Sequence, residues 1–207
     1  MLCYLIHIIY FYTESGDIIS LFNDALMFAI QKHDGQKRKF SDAPYILHPF
    51  EAASIVSTMT SDENVLAAAL LHDTVEDSDA TLDEIEKKFG RRVALLVMTE
   101  TEDKCAEKSP EDSWLARKEQ TILTLQKTKD RDVRILWLGD KLSNMRSYYR
   151  IYRKLGNEMW QHFHQKDPKI QAWYYRSIAK ALSELSEYEA YDEYVDLMNK
   201  IFSDLEI

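Results

Sequence analysis

The sequence predicts an all-α fold that forms a single domain, and three observations support this prediction. Only five Gly and four Pro occur in the 207 residues, so the chain contains few helix breakers. Between them, apolar residues recur at intervals of three and four, which is the spacing of one helix face. Residues that cap helices precede several of these segments. A chain of this length can bury a substantial core without dividing into two domains.

The first two helices are predicted before residue 60. Asp17 is a good N-cap for a helix through IISLFNDALMFAIQKHD, and Gly35 ends that helix. Pro49 suits the first turn of the second helix, because proline lacks the N–H that this turn leaves unused. His48 is therefore expected at the beginning of the second helix.

The later helices follow from capping residues and amphipathic spacing. Ser61 or Asp62 can cap ENVLAAALLHDTVED, and Thr81 with Glu84 three residues later forms a capping box for LDEIEKKFG. Further amphipathic helices are predicted over Arg91–Thr101, Glu111–Lys127, Arg131–Leu155, Pro168–Glu187 and Ala190–Phe202.

Composition excludes several classes of protein. The formal net charge of −9 argues against a general nucleic-acid binder, which needs an extended basic surface. No stretch approaches the roughly 18 apolar residues that a membrane-spanning helix requires. The two cysteines, Cys3 and Cys105, form no C-x-x-C pair, so neither a disulfide scaffold nor a cysteine-rich zinc site is indicated. We expect a cytoplasmic protein.

The apolar opening MLCYLIHIIYFYT differs from a signal peptide. It has no Lys or Arg ahead of the apolar stretch and no clear small-residue cleavage site. We therefore expect residues 1–16 to form an N-terminal extension that docks on a domain of residues 17–207. The alternative is an upstream translation start that adds little to the fold.

The stretch LLHDTVEDSDAT places a histidine and several acids directly after an apolar run. His72 and Asp73 are expected at a buried helix end, where a divalent metal would satisfy both side chains at once. Glu76 and Asp77 follow at i+4 from this pair, so one further helical turn would align the four side chains. A His-Asp pair by itself more often indicates a satisfied core histidine or a surface ion pair.

Two further residues favour the metal interpretation. His48 occurs in PYILHP, and Asp140 follows an apolar run in VRILWLGDKLSNMRS, where a carboxylate is costly to bury without a partner. Two histidines and two aspartates make a mixed nitrogen and oxygen ligand set. Such a set suits manganese, iron or zinc rather than calcium.

These stretches carry a family resemblance. HDGQKRKFSDAPYILHP, LLHDTVEDSDATLDEIEKKFG and VRILWLGDKLSNMRS contain, in order, the elements H-x-G-Q-x-R, Y-I-x-H-P, H-D-x-x-E-D and D-x-L-x-N-M-R. Over approximately residues 21–147 the chain resembles the hydrolase domain of the RelA/SpoT family, an HD-domain helical bundle, in its stand-alone small alarmone hydrolase form. It departs from the family in GDKLSNMRS, where the common form has alanine before the Asp, arginine after it and histidine before the Asn.

The resemblance implies a role for each matching residue. The metal ligands would be His48, His72, Asp73 and Asp140, with Mn²⁺ as the ion. The acids that activate water would be Glu76 and Asp77. The nucleotide-binding residues would be Arg38, Lys39, Asn144 and Ser147.

The activity that the resemblance implies is removal of pyrophosphate from the 3′ position of guanosine 3′,5′-bis(diphosphate)-type alarmones. The chemistry is consistent, because a divalent cation lowers the pKa of bound water and offsets charge on a phosphoryl group. Two alternatives stay open: another HD nucleotide phosphohydrolase, such as a nucleotidase, and a non-catalytic nucleotide-sensing module. The expected partner is a small nucleotide rather than a nucleic acid or a membrane, and a homo-oligomer stays open.

Other residues outside these motifs are less specific candidates for substrate binding. Lys141, Arg146, Arg150 and Arg153 recur on one predicted helix and form either a phosphate-binding stripe or a solvated basic face. The cluster Trp173–Arg176 in QAWYYRSI could close over a base, although aromatic residues at helical spacing more often belong to the core. Structural or surface roles are expected for Cys105, His33, His162 and His164.

Overall fold

A computed structural model describes residues 20–101 and 109–203, and these residues form a bundle of helices without a β-sheet. The prediction of an all-α fold is confirmed. The helices are α1 (Leu21–Lys32), α2 (Leu47–Val56), α3 (Glu63–Leu71), α4 (Thr74–Asp77), α5 (Leu82–Phe89), α6 (Arg91–Glu100), α7 (Pro110–Lys127), α8 (Arg131–Leu155), α9 (Pro168–Ala181) and α10 (Glu189–Phe202). Short 3₁₀ helices span Gly156–His162 and Ser183–Leu185.

The long helix α8 lies at the centre of the bundle and packs against α2 on one side and α10 on another. Most of residues 133–145 are buried, so the middle of α8 has little solvent-exposed surface. The short helix α3 packs against α1, α2 and α6. Six of its nine residues are buried, including all of residues 67–71, which explains why the second half of the helix is apolar on every side.

Helices α2 and α8 approach each other closely at Gly139. A Cβ atom at this position would lie 2.5 Å from Cγ2 of Val56 and 2.9 Å from the carbonyl oxygen of Ala52. The absence of a side chain therefore permits the spacing of the two helices. The same contact brings the first turn of α2 towards the next residue of α8, Asp140.

Capping residues set most helix starts as predicted. Asp62 accepts a hydrogen bond from the N–H of Asn64 at 2.8 Å, and Thr81 accepts one from Glu84 at 3.2 Å. The prediction for α1 was wrong, because the helix begins at Leu21 with Ser20 as its N-cap. A serine hydroxyl caps as well as the Asp17 carboxylate would, so the sequence offered two equivalent starts.

The predicted extent of the helix Pro168–Glu187 was also wrong. Helix α9 ends at Ala181, and the N–H of Leu182 closes its last turn on the carbonyl of Ile178 at 2.9 Å. Leu182 and Leu185 are both fully buried. The two leucines are three residues apart, a spacing that also fits one face of a continuing helix. The chain instead turns through a 3₁₀ helix, and both side chains pack in the core.

The predicted N-terminal extension of residues 1–16 and both cysteines lie outside the described residues. Within residues 20–101 and 109–203, no helix combines the length and the apolar character needed to cross a membrane.

Candidate metal centre

The four side chains predicted as metal ligands meet in one place, although they are far apart in the sequence. His48 lies in the first turn of α2, His72 and Asp73 join α3 to α4, and Asp140 projects from the middle of α8. Nε2 of His48 lies 3.4 Å from Oδ2 of Asp73 and 3.1 Å from Oδ1 of Asp140. Nε2 of His72 lies 3.1 Å and 3.6 Å from the same two atoms. One ligand atom from each of His48, His72 and Asp140 falls within 4.8 Å of the others.

Hydrogen bonds on the far side of each imidazole fix its tautomer. Nδ1 of His72 donates to the carbonyl of Ala69 at 2.8 Å. Ser143 donates its hydroxyl hydrogen to Glu51 at 2.8 Å, so Nδ1 of His48 must donate to the Ser143 oxygen, also at 2.8 Å. In the neutral imidazoles, both Nε2 atoms therefore carry lone pairs that face the two aspartates. This arrangement is typical of metal-binding histidines.

This donor set fits a divalent cation. Nε2 of His72 is buried and makes no hydrogen bond within the described part of the chain. Imidazole lone pairs that face carboxylate oxygens at 3.1–3.6 Å repel each other unless a positive charge lies between them. Nitrogen and oxygen donors together suit a first-row divalent ion.

The electrostatics of the cluster favour one positive charge. Burial raises the pKa of Asp140, but Lys141 and the two imidazoles outweigh burial and hold this pKa well below its ordinary value. Burial lowers the pKa of His48. Burial acts in the same direction on His72, but the two aspartates outweigh it and hold the pKa of His72 well above its ordinary value. The two aspartates thus stay ionised and favour a positive charge where the Nε2 atoms face them, supplied either by a proton on His72 or by a metal ion.

Besides the imidazoles, two side chains contact Asp140. Lys141 forms an ion pair with it, and its ammonium group lies 4.4 Å from the centre of the Trp137 ring. Nδ2 of Asn144 donates to Oδ1 of Asp140 at 2.7 Å. Beyond Lys141 lies Glu100, a buried acid at the end of α6 whose pKa is raised well above its ordinary value by burial. Asn144, predicted to contact nucleotide, contacts Asp140 in this structure.

Tyr45 links Asp73 to the predicted proton-transfer acids, and sequence reasoning did not assign it a role. Its hydroxyl donates to Oδ2 of Asp73 at 2.6 Å and lies 3.4 Å from Oδ2 of Asp77. Burial, together with Asp73, raises the pKa of Tyr45 far above its ordinary value, so the phenol stays protonated. The N–H of Asp77 bonds to the carbonyl of Asp73 at 2.8 Å, which places Asp77 one helical turn above Asp73 as predicted. Glu76 is half-buried beside it.

A cavity of about 500 Å³ opens beside His48. Three of the predicted nucleotide-binding residues, Arg38, Lys39 and Ser147, lie in its wall. Two more cations from α8, Arg150 and Lys154, complete a basic lining. The chain is acidic overall, so this cavity concentrates positive charge next to the candidate metal centre.

The arginines of the predicted stripe have different surroundings in the structure. Arg150 lines the cavity, but Arg146 is bound through two nitrogens to Glu193 at 2.7 and 2.6 Å and is also 3.3 Å from Glu51. Arg153 is exposed and lies outside the residues that line the cavity. Arg146 therefore joins α8 to α10 rather than facing the cavity.

The Trp173–Arg176 cluster belongs to the core rather than to the cavity. Tyr174 packs edge-on against Trp114, and Tyr175 packs against Phe202. Both tyrosines are buried.

The other three histidines of the described residues lie in structural or surface positions. His33 is buried and bonds through Nδ1 to Gln36 at 2.9 Å, whereas His164 lies at the surface 3.0 Å from Glu111. His162 packs edge-on against Phe40.

The HD domain family model matches residues 25–167. The chain therefore belongs to the HD domain family.

Several curated proteins are similar in sequence to this chain. The chain is 40% identical over 128 residues to the guanosine-3′,5′-bis(diphosphate) 3′-pyrophosphohydrolase MESH1 of Drosophila melanogaster, which covers 60% of this chain and 68% of the relative. It is 42% identical over 130 residues to MESH1 of Mus musculus, covering 61% and 69%. The GTP pyrophosphokinase rsh of Brucella ovis is 40% identical over 128 residues, but the chain spans only 17% of its length.

Two solved structures are similar to this chain in fold and in sequence. A structure described as a metazoan ortholog of SpoT that hydrolyzes ppGpp has a TM-score of 0.65 and 28% identity, and the match covers 89% of this chain and 94% of that one. The structure of lmo0812 from Listeria monocytogenes has a TM-score of 0.66 and 33% identity, covering 78% and 97%. The resemblance to RelA/SpoT-type hydrolases and the HD-bundle fold are thereby confirmed.

Proposed function

We propose that the chain is a metal-dependent hydrolase that removes pyrophosphate from the 3′ position of guanosine 3′,5′-bis(diphosphate)-type nucleotides. The observation that carries this proposal is the meeting of His48, His72, Asp73 and Asp140 beside a basic cavity. The names of the similar MESH1 proteins support the choice of substrate.

The four clustered side chains would hold the metal. When bound, a divalent cation lowers the pKa of coordinated water and offsets negative charge on phosphoryl oxygens. The nitrogen and oxygen donors support Mn²⁺ as the ion, and the absence of a cysteine framework supports a cytoplasmic setting.

The chain's own residues would orient the ligands and move protons. Ser143 and Glu51 hold the His48 ring in the tautomer that presents Nε2. Tyr45 remains a phenol and donates to Asp73, which fixes the carboxylate in one orientation. Asp77 lies within reach of the same hydroxyl, so Glu76 and Asp77 are positioned at the edge of the cluster. One of these carboxylates would accept the proton of the attacking water and return it to the departing pyrophosphate.

The cavity would bind the anionic substrate. Arg38, Lys39, Arg150 and Lys154 offer four positive charges to the phosphates of the nucleotide. Arg38 lies with its guanidinium 5.7 Å from the centre of the Tyr45 ring, which keeps it close to the metal centre. The wall also contains the carboxylate of Glu51, which accepts hydrogen bonds from Ser143 and Arg146.

The test is product analysis with the purified protein, Mn²⁺ and guanosine 3′,5′-bis(diphosphate). We expect stoichiometric pyrophosphate and the 5′-diphosphate nucleoside, and we expect Asp140→Asn to release neither. Arg153→Gln is the matched control, because Arg153 is on the same helix but outside the cavity lining. Release of orthophosphate alone would instead identify a nucleotidase. Tight nucleotide binding without any release would identify a sensing module.

A further inference from the structure

Phe40 has a backbone conformation that phenylalanine rarely adopts. Its φ angle is 63°, and within residues 20–101 and 109–203 it is the only non-glycine residue with a positive φ. A bulky side chain in this left-handed region costs about 1–2 kcal/mol, so the surrounding structure must stabilise it. Such outliers occur frequently at ligand-binding sites.

The loop that carries Phe40 is closed by backbone contacts. Lys37 and Pro44 form an isolated bridge, and the N–H of Arg38 donates to the carbonyl of Ala43 at 2.9 Å. The N–H of Ser41 donates back to the carbonyl of Arg38 at 3.2 Å. The loop therefore presents Phe40 at its tip.

One edge of the Phe40 ring is fixed by the segment that follows α8. The ring centre lies 5.3 Å from that of His162, nearly perpendicular to it, and 5.5 Å from that of Phe163. The ammonium group of Lys39 lies 4.5 Å from the centre of the Phe163 ring. Phe40 nevertheless remains 36% exposed, and it lines the basic cavity.

The wall of the cavity is apolar as well as basic. Ten large apolar side chains are exposed within the described residues, and three of them, Phe40, Leu47 and Leu155, line this one cavity. Exposed apolar side chains gathered in a concave surface indicate a ligand-binding site. Phe40 is the aromatic residue among those that line the cavity.

We propose that Phe40 is the stacking platform for the nucleobase of the substrate, a contact that favours ligands that carry a base over ligands that do not. The inference rests on the proposed function for the identity of the ligand. A ring held on one edge and exposed to the cavity can cover a base face without losing side-chain freedom on binding.

The test measures binding, so it does not depend on turnover. Isothermal titration calorimetry compares guanosine 3′,5′-bisphosphate with the base-free sugar bisphosphate. We expect Phe40→Ala to weaken binding of the nucleoside bisphosphate by ~5- to 150-fold, the range of base stacking on aromatic side chains. Phe40→Leu should weaken it by about 2- to 10-fold, because the apolar contact persists without the aromatic ring, and Phe40→Tyr should retain wild-type binding.

Two comparisons separate stacking from a structural role. None of these variants should change the affinity for the base-free ligand, and adenosine 3′,5′-bisphosphate should lose the same factor as the guanosine compound because both bases offer a π face. Phe50→Leu is the matched control, since Phe50 is exposed but lies outside the cavity. Equal losses for the ligands with and without a base, or no loss in Phe40→Ala, would overturn the inference. Failure of the proposed function would appear separately, as wild-type protein that releases no pyrophosphate.

Discussion

Substitution of Gly139 by alanine tests whether the spacing of α2 and α8 assembles the metal centre. The added Cβ would lie 2.5 Å from Cγ2 of Val56 and 2.9 Å from the carbonyl oxygen of Ala52. A valine methyl group can rotate away, but the backbone oxygen cannot. The helices must therefore separate by about 0.5 Å or more to restore a normal contact. His48 is on α2 and Asp140 on α8, so the same movement lengthens their 3.1 Å separation.

Two opposing terms set the magnitude for Gly139→Ala. Overpacking a close helix contact costs about 1–3 kcal/mol, whereas alanine in a helix interior is favoured over glycine by about 0.5–1 kcal/mol. Taking the middle of each range, the net destabilisation is about 1 kcal/mol, which lowers the melting temperature by about 2–4 °C in a domain of this size. Disturbing the ligand geometry should weaken metal binding about 10-fold.

Calorimetry of unfolding and of Mn²⁺ binding checks both effects of Gly139→Ala. Combining it with Val56→Ala removes the side-chain clash but leaves the clash with Ala52, so a double-mutant cycle should recover part of the lost stability. The reasoning would be refuted if Gly139→Ala raised the melting temperature by its helix propensity and left the dissociation constant for Mn²⁺ unchanged.

Two further predictions concern the acids and pH. Asp73→Ala should abolish stoichiometric metal binding, whereas Glu76→Ala should retain the metal and lose turnover. Mass spectrometry of both variants measures their metal content. A Glu76→Ala protein without metal would contradict the assignment of Glu76 to proton transfer. The guanidinium of Arg92 lowers the pKa of Asp130 from 3.8, so their pair stabilises the fold above that pH and loses its effect as the pH falls through the folded pKa. Arg92→Gln should therefore lower the free energy of unfolding at pH 7 by about 0.5 kcal/mol, as expected for a partly exposed pair. In thermal melts at acid pH, the difference in stability between the variant and the wild type should vanish. A difference that persists in acid would argue against a stabilising role of the pair.

The sequence was sufficient to predict helix starts where local chemistry determines them. Asp62 and Thr81 cap their helices as expected because N-cap preference acts over three residues. The end of α9 was not predictable in this way. Leu182 and Leu185 continue the apolar period, and only the packing of the finished bundle decides that the chain turns there.

The supporting residues of the candidate site were harder to predict than the ligands. Ser143 and Glu51 are 92 residues apart in sequence, and their link to His48 exists only after α2 and α8 pack together. Tyr45 carried a usable signal, because it lies three residues before His48, and a turn in which the N–H of His48 donates to the carbonyl of Tyr45 at 2.9 Å brings the two rings together. Asn144 lies one turn after Asp140, a spacing that also predicts the contact between them.

The most direct test of the metal centre is anomalous diffraction from crystals of this protein grown with Mn²⁺. One anomalous peak per chain is expected, bounded by Nε2 of His48, Nε2 of His72 and the carboxylate oxygens of Asp73 and Asp140. A peak at any other position, or no peak at a Mn²⁺ concentration that saturates binding in solution, would contradict the account.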